Sequence, residues 1–162
     1  TDGLYLGGRL SEPFVKRLSE QTIAKTSIRE AIRRGVPTYA EGGGFIYLTE
    51  TYERQDGKTY DMVGVIPGKI IETKQLTIGY REVSGKPGNF FIPESEIVKG
   101  HEFHRVQFDP YGEQQYAYEA NGKQAGFMQE AIVAGFVQLH FASNPTIARR
   151  FVERCYQRRR NR

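Results

Sequence analysis

A short stretch of the chain has the residue pattern of a turn that presents a catalytic nucleophile. Residues 36–40, Val-Pro-Thr-Tyr-Ala, are short, largely apolar and contain an early proline, which is typical of a buried strand. Gly42, Gly43 and Gly44 then predict a sharp reversal, and residues 45–48 have the spacing of a helix start. Such a turn places one side chain beside backbone N–H donors that could stabilise an oxyanion. The residue expected at its tip is Gly42, which has no side chain.

Other residues are expected to meet at this turn. Gly7 and Gly8 follow the first predicted strand, and ligands of parallel α/β sheets bind beyond the carboxyl ends of the strands. Gln138 and His140 lie two residues apart on the last predicted strand and should therefore point to the same side. Gln138 does not titrate near neutral pH. His140 is expected either near the site, where it could bind a small anion or amide, or in the core as a hydrogen-bonded histidine.

The segment His101-Glu102-Phe103-His104 invites a metal interpretation, which the strand period does not favour. Side chains alternate along a strand, so His101 and His104 should face opposite sides. Two histidines without further convergent ligands do not predict zinc. We therefore expect no metal site, and we interpret His101, Glu102 and His104 as a contact to a partner or substrate, or as ordinary strand residues. Glu41, just before the turn, is expected to anchor neighbouring backbone.

Ordered segments over nearly the whole chain resemble the glutamine amidotransferase domain of the cobyrinic acid a,c-diamide synthase family. The matching segments are Asp2–Gly8 with Glu12 just beyond, Tyr39–Leu48, Leu76–Val83, Gly100–His104 and Leu139–Pro145. The resemblance implies a class I amidotransferase-like, flavodoxin-like fold. It implies that a cysteine at the turn attacks the glutamine side-chain amide and releases ammonia. It also places the Gly100–His104 segment near an interface with a synthetase domain.

This chain departs from the family pattern at three positions of the site. Gly42 stands where the family has its cysteine, and Gln138 stands where it has the histidine expected to activate that cysteine. Arg9 stands where the family tends to have another glycine. Amide hydrolysis by this route needs a thiolate, a base and oxyanion donors, so glutaminase activity is expected to be absent. The loop residues still expected to bind an oxyanion or ligand are Gly7, Gly8, Arg9, Gly43 and Gly44.

Three interpretations remain open. The first is a catalytically degenerate domain that acts as a scaffold or partner-binding module, or belongs to a synthetase using free ammonia. The second is an active amidotransferase domain whose cysteine was replaced in the laboratory, with His140 as the working base. Coincident departures at Gly42, Gln138 and Arg9 favour a natural change over a single engineered one. The third is recruitment as a structural subunit of a larger assembly, with the basic C-terminal tail as its contact.

The family resemblance also carries expectations about cofactors and partners. ATP and Mg²⁺ would belong to a synthetase domain that acts on a corrin precursor. No Gly-x-x-x-x-Gly-Lys-Ser/Thr phosphate loop occurs here, so no cofactor is expected in this domain. The chain opens at Thr1-Asp2 and a short apolar strand, without a signal-peptide pattern. We therefore expect a domain cut from a longer protein, with the synthetase domain absent from this chain.

Length, cysteine content and charge limit the classes of protein to which the chain can belong. The 162 residues predict a single domain over residues 1–162. The sequence contains no apolar run of about 18 residues, so no membrane span is predicted. The only cysteine, Cys155, fits a cytoplasmic protein. The net charge of +4 is mild, so nucleic-acid binding is not expected apart from the tail. The arginines of that tail are Arg149, Arg150, Arg154, Arg158, Arg159, Arg160 and Arg162.

The predicted architecture is a mixed, mainly parallel sheet flanked by helices, with a β-hairpin-rich insertion. Helices are expected from Ser11 to about Gln21, over 28–34 with Ser27 as cap, and over 146–157. Asn121-Gly122 predicts a hairpin turn. Beyond Thr51 the predicted strands are 63–66, 70–71, 75–83, 90–92, 101–108, 115–119, 127–129 and 131–141.

Overall fold

The chain forms an α/β fold in which a mainly parallel sheet ends at the glycine turn. The computed structural model describes residues 1–10 and 12–161. In spatial order the strands of the first sheet are β1 (Leu4–Leu6), β2 (Thr38–Glu41), β10 (Ile132–Gly135) and β9 (Phe127–Gln129). The neighbouring strands β1, β2 and β10 run parallel, and β9 pairs antiparallel with β10. The predicted mixed, mainly parallel sheet is therefore present.

Helices connect and cover the strands of this sheet. Within the described residues, the α-helices are α1 (Glu12–Ser19), α2 (Thr22–Arg33), α3 (Gly43–Leu48) and α4 (Thr146–Arg160). Ser27 lies inside α2, so the prediction that it caps a helix was wrong. Residues 23–26 contain no helix breaker, and the helix therefore starts at Thr22 and not at residue 28. Ser11, the other predicted cap, lies outside the described residues.

The hairpin-rich part of the chain forms a second sheet, which is mostly antiparallel. Its strands are β3 (Thr49–Glu53), β4 (Thr59–Asp61), β5 (Ile66–Gly85), β6 (Val98–Pro110), β7 (Tyr118–Ala120), β8 (Lys123–Ala125) and β11 (Gln138–Leu139). The order of neighbouring strands is β11-β6-β5-β3-β4, and β7 pairs with both β5 and β8. The β7–β8 turn contains Asn121 at φ 47° and Gly122 at φ 78°, as the Asn-Gly hairpin prediction requires. Strands β5 and β6 pair along most of their length to form one long hairpin.

Several predicted strands differ from the structure: 70–71 and 75–83 are parts of the single strand β5, and 115–119 is a strand only from Tyr118. The predicted strand 131–141 is two strands in two sheets, because the chain leaves β10 at Gly135 and pairs with β6 from Gln138. Residues 90–92 are not a strand, since the Asn89 side chain accepts hydrogen bonds from the backbone N–H groups of Phe91 and Ile92. Residues 63–65 instead donate their N–H groups to carbonyls of residues 47–49, where α3 ends.

The core lies on both faces of the first sheet. Ala40 and Ala134 face a cluster that contains Phe45 from α3, whereas Tyr39 and Val133 face a second cluster. Consecutive strand residues point to opposite faces, so β2 and β10 are buried on both sides. This double burial fixes the strand ends at which the glycine loops meet. Among the described residues, no helix combines the length and the apolar character needed to cross a membrane.

Candidate functional site

Gly42 adopts a backbone conformation that few residues other than glycine tolerate. It precedes α3 with φ 53° and ψ −114°. Its N–H donates to the carbonyl of Gly135 at 2.9 Å, which joins the turn to the end of β10. A Cβ atom at Gly42 would lie 2.8 Å from the Gly8 carbonyl oxygen and 3.4 Å from Cγ and Cδ of Gln138. The structure thus brings Gly8, Gly42 and Gln138 together, although they lie far apart in sequence.

The Gly7-Gly8-Arg9 loop occupies the space beside the turn. The Gly43 N–H donates to the Gly8 carbonyl oxygen at 2.7 Å. In nucleophile turns, the N–H of the residue after the nucleophile is an oxyanion donor. Here that donor belongs to Gly43, and a carbonyl oxygen of the chain already uses it. Arg9 places its guanidinium carbon 4.3 Å from the centroid of the Phe103 ring, which ties this loop to β6.

Gly44 is required by close packing. It lies in α3 directly against β1, and a Cβ atom there would overlap the carbonyl oxygen of Leu6. Gly7 is similarly crowded, because a Cβ atom there would lie 2.8 Å from the Tyr5 hydroxyl. These two glycines therefore have a packing role in addition to any contact with a ligand.

The two candidate histidines, His140 near the C-terminal strand and His104 on β6, lie at different places relative to the turn. His140 is exposed and precedes a 3-10 helix, Phe141–Ser143, and its N–H donates to the Lys99 carbonyl at 2.8 Å. A cavity of about 270 Å³ lies at Gly42, and among the described residues its lining includes His104 and Gln138 but not His140. The alternation of side chains along a strand predicts that His101 and His104 point to opposite faces of β6. His101 is exposed and does not line this cavity, in agreement with that prediction. The sequence offered no signal that His104 would face Gly42.

His104 is held in place by its neighbours. Its Nδ1 lies 2.9 Å from the Val106 carbonyl oxygen. A carbonyl oxygen only accepts, so Nδ1 carries the proton of this bond. The ring stacks on Phe136 with centroids 4.1 Å apart. Nε2 lies 3.7 Å from Glu102 Oε2, and it is buried without a hydrogen-bond partner among the described residues.

Glu102 connects His104 to Arg81 on the neighbouring strand. Arg81 Nη2 lies 3.3 Å from Glu102 Oε2. Burial raises the pKa of the Glu102 carboxyl, but the His104 ring and the Arg81 guanidinium together lower it further, and the net pKa lies below its usual value. Glu102 is therefore an ionised, half-buried carboxylate within the β5–β6 hairpin.

The Glu41 carboxylate lies beneath the turn and joins both sheets. Tyr5 Oη donates to Oε1 at 2.6 Å, and Tyr39 Oη donates to Oε2 at 2.6 Å. The Leu139 N–H donates to Oε2 at 2.9 Å. Burial and the Glu41 carboxylate raise the pKa of both tyrosines above their usual value, so both hydroxyls remain protonated donors. Glu41 was predicted to anchor backbone; one of its three hydrogen bonds is to backbone, at Leu139, and the other two are to tyrosine side chains.

The parallel strands, the turn after β2 and the glycine loop after β1 define a class I glutamine amidotransferase-like fold. A solved glutamine amidotransferase superposes with a TM-score of 0.67 at 16% identity, over 95% of this chain and 79% of that one. Another, from Thermotoga maritima, gives a TM-score of 0.58 at 16% identity, over 93% of this chain and 60% of that one. The predicted fold class is confirmed.

The chain belongs to the CobB/CobQ-like glutamine amidotransferase domain family, whose pattern matches residues 1–146. It is 43% identical to a cobyrinate a,c-diamide synthase from Priestia megaterium, over 95% of this chain and 35% of that protein. It is 42% identical to the enzyme of that name from Thermoplasma volcanium, over 96% of this chain and 35% of that protein. The chain therefore spans about a third of the length of these curated relatives.

The Glu41 hydrogen bonds predict a loss of stability when the carboxylate is replaced. Glu41→Gln leaves one oxygen for three donors, two of which are buried, and points an NH₂ group at another donor. We expect the free energy of unfolding to fall by roughly 2–4 kcal/mol in urea titrations. The exposed Glu50→Gln is the matched control and should change it by less than about 0.5 kcal/mol. Equal effects of the two substitutions would contradict the role assigned to Glu41.

The environment of Glu102 predicts a pH-dependent contribution to stability. Because its folded pKa lies below the usual value of 4.5, its ionisation stabilises the fold above that pH, and this contribution is lost as the pH falls through the folded pKa. The difference in unfolding free energy between the wild type and Glu102→Gln should therefore shrink as the pH falls below 4.5. Urea titrations across this range measure it, with the exposed Glu113→Gln as control. A difference that grows in acid would contradict the prediction.

Proposed function

We propose that this chain is a catalytically degenerate glutamine amidotransferase domain, related to that of cobyrinate a,c-diamide synthase, which acts as a scaffold or partner-binding module. The observation that carries this proposal is the turn at Gly42. It has the position and backbone form of a nucleophile turn, and the Gly8 carbonyl oxygen lies within 2.8 Å of the place where a Cβ would start. The nucleophile is therefore missing, and a side chain at this position would require the Gly8 carbonyl to shift.

The remaining groups at the turn support the loss of glutaminase chemistry. A covalent route requires a thiol or hydroxyl that can form an acyl intermediate, and glycine has neither. Gln138 lies against Gly42, but its amide cannot accept the proton of a thiol as imidazole does. The Gly43 N–H, the expected oxyanion donor, already bonds to Gly8. Each of these three features alone would slow amide hydrolysis severely.

The cofactors and the substrate are proposed only from the relationship to the synthases. ATP and Mg²⁺ would serve a synthetase portion outside this domain, and a corrin precursor would be its substrate. With no ammonia generated at Gly42, such a synthetase would take free ammonia from solution. A cytoplasmic location fits this role.

The surface for a partner is proposed on the outer face of the β5–β6 hairpin. Tyr80 is 89% exposed and Ile78 is 61% exposed, and both line one shallow apolar depression with His101 and Phe103. Exposed apolar side chains gathered at one place are typical of interaction sites. Phe103 also carries the Arg9 stack beside Gly42. Because the relatives are about three times longer than this chain, we propose that a synthetase portion covers this patch.

The laboratory-replacement alternative makes a different prediction about His140. That histidine would have to activate a restored cysteine, yet it is exposed and outside the lining of the Gly42 cavity. The third interpretation, recruitment through the basic tail, concerns the arginines of α4. Arg150, Arg154 and Arg158 make contacts within the chain, to Asn89, Phe90 and Arg34 respectively. These contacts favour a role of α4 in the packing of the domain itself over a role as a partner contact.

The degenerate turn predicts the outcome of a glutaminase assay. The wild type and Gly42→Cys should release no glutamate from glutamine above background, because Gln138 cannot activate the thiol. Gly42→Cys combined with Gln138→His restores both groups, and we expect it to gain measurable glutamate release, with the Gly8 loop shifting to relieve the 2.8 Å approach to the new Cβ. Gly57→Cys is the matched control, since Gly57 also has a positive φ of 80° but open space around it.

Two outcomes would contradict the proposal. Robust turnover by the wild type would show that another group performs the chemistry. Turnover by Gly42→Cys alone would favour the replaced-cysteine interpretation, with a base other than residue 138. Circular dichroism of each variant shows whether a missing activity reflects an unfolded protein.

The docking patch predicts protection in a longer protein. This chain can replace the matching third of the Priestia megaterium synthase, and hydrogen exchange can be measured in the chimera and in the isolated domain. Exchange in the segments around Tyr80 and Phe103 should slow in the chimera. Tyr80→Ser with Phe103→Ser should abolish the slowing, whereas Tyr111→Ser, also at an exposed tyrosine, should leave it unchanged. Equal exchange in both proteins would overturn the proposed patch.

A further inference from the structure

The turn between β7 and β8 carries an asparagine whose side-chain amide can react with its own backbone. Of the four asparagines in the sequence, only Asn121 precedes a glycine. The backbone nitrogen of the following residue is the nucleophile in asparagine deamidation, and Gly122 has no side chain to shield it. Asn144 precedes Pro145, whose nitrogen carries no hydrogen. Asn121 and Gly122 are both exposed, and a Cβ atom at Gly122 would meet no atom within 4 Å, so water reaches the turn.

The closed turn keeps the two reacting groups of Asn121 and Gly122 apart. Asn121 Oδ1 accepts a hydrogen bond from the Glu82 N–H at 2.8 Å, and Nδ2 donates to the Tyr80 carbonyl oxygen at 3.3 Å. These bonds hold the side chain against β5. Asn121 also has a φ of 47°, and in this left-handed region the next backbone nitrogen lies away from Cβ. The Gly122 nitrogen therefore reaches Cγ of Asn121 only when the turn opens.

The hairpin that contains this turn can open without the rest of the fold. Among the described strands, β8 pairs only with β7, and each of the two has three residues. Lys123 and Gln124 of β8 are exposed. Segments with few buried contacts open locally at a free energy well below that of global unfolding. The β7–β8 hairpin therefore has a route to the reactive form under conditions in which both cores stay folded.

We propose that Asn121 is a modification site, at which deamidation converts transient opening of the β7–β8 hairpin into a permanent change. In the open turn, the Gly122 nitrogen bonds to Cγ of Asn121, and its proton leaves with Nδ2 as the Cγ–Nδ2 bond breaks and ammonia departs. Water then adds to either carbonyl of the cyclic imide, which gives aspartate or isoaspartate at position 121. The reaction consumes one water and releases one ammonia, with no oxidant or cofactor.

Either product weakens the attachment of the hairpin to β5. Isoaspartate adds a CH₂ group to the main chain, so a two-residue turn no longer joins Ala120 to Lys123 in the same register. Aspartate keeps the main chain, but it has no NH₂ group to donate to the Tyr80 carbonyl. Tyr80 belongs to the proposed docking patch, which places the modification beside that surface. The inference does not depend on the proposed function, because the Gly42 turn contributes no atom to it.

Peptide mapping by mass spectrometry, with enzymatic methylation of isoaspartate, measures the reaction at each asparagine. The full chain is incubated at mildly alkaline pH, either folded or unfolded in urea. In urea we expect Asn121 to react at least about tenfold faster than the other three asparagines, and the folded chain to react there at least about tenfold more slowly than the unfolded one. In the product, the amides of Glu82 and Ala120 should exchange hydrogen faster than in the unmodified chain.

Two variants test the role of hairpin opening, and a third tests the site. Lys123→Pro removes the N–H that closes the hairpin and should raise the rate in the folded chain toward the rate in urea. Lys123→Thr keeps that N–H and should leave the rate unchanged. Asn121→Gly retains the positive φ without the amide and should abolish the signal. Equal rates in the folded and unfolded chain, faster reaction at another asparagine, or no acceleration by Lys123→Pro would each overturn the proposal.

Discussion

The Glu41 carboxylate is the constraint on which the geometry of the site depends. It accepts hydrogen bonds from Tyr5 on β1, Tyr39 on β2 and the Leu139 N–H on β11. The first two strands belong to one sheet and the third to the other. A buried carboxylate is stable only when such donors surround it, so the three elements cannot separate without exposing an unsatisfied charge. This requirement fixes the distance between the turn after β2 and the residue before Leu139, which is Gln138.

The same constraint explains how a turn without a nucleophile keeps the nucleophile's backbone. Gly42 follows Glu41 directly, and its position is further set by its own bond to Gly135 and by the Gly43–Gly8 bond. A positive φ strains most residues, whereas glycine adopts it at little cost. A glycine at position 42 therefore avoids strain in the turn, while the surrounding bonds hold its shape. A Cβ at this position would lie 2.8 Å from the Gly8 carbonyl oxygen, so a side chain there would require the Gly8 loop to shift. Under the proposed function, the glycine at the turn and the close approach of the loop are one coupled change.

Much of the first sheet could be predicted from the sequence, because short apolar runs followed by glycine have few structural interpretations. The meeting of Gly8 and Gly42 followed from parallel strand ends, and the neighbourhood of Gln138 came only from the family resemblance. The strand predicted over 131–141 failed because both of its halves are apolar, and apolarity does not show where a chain passes from one sheet to another. The position of His104 beside Gly42 depends on the long-range pairing of β5, β6 and β11, which local patterns do not encode.

The contacts of His104 indicate that the β5–β6 hairpin can have a function that does not require chemistry at the Gly42 turn. Its Nδ1 bond to Val106 is made within β6 and involves no atom of the turn. Nε2 lies 3.7 Å from Glu102 Oε2, which is also on β6. Its stacking partner Phe136, by contrast, follows Gly135, whose carbonyl oxygen accepts a hydrogen bond from the Gly42 N–H. Under the proposed function, the β5–β6 hairpin would keep a partner-binding role although the turn performs no chemistry.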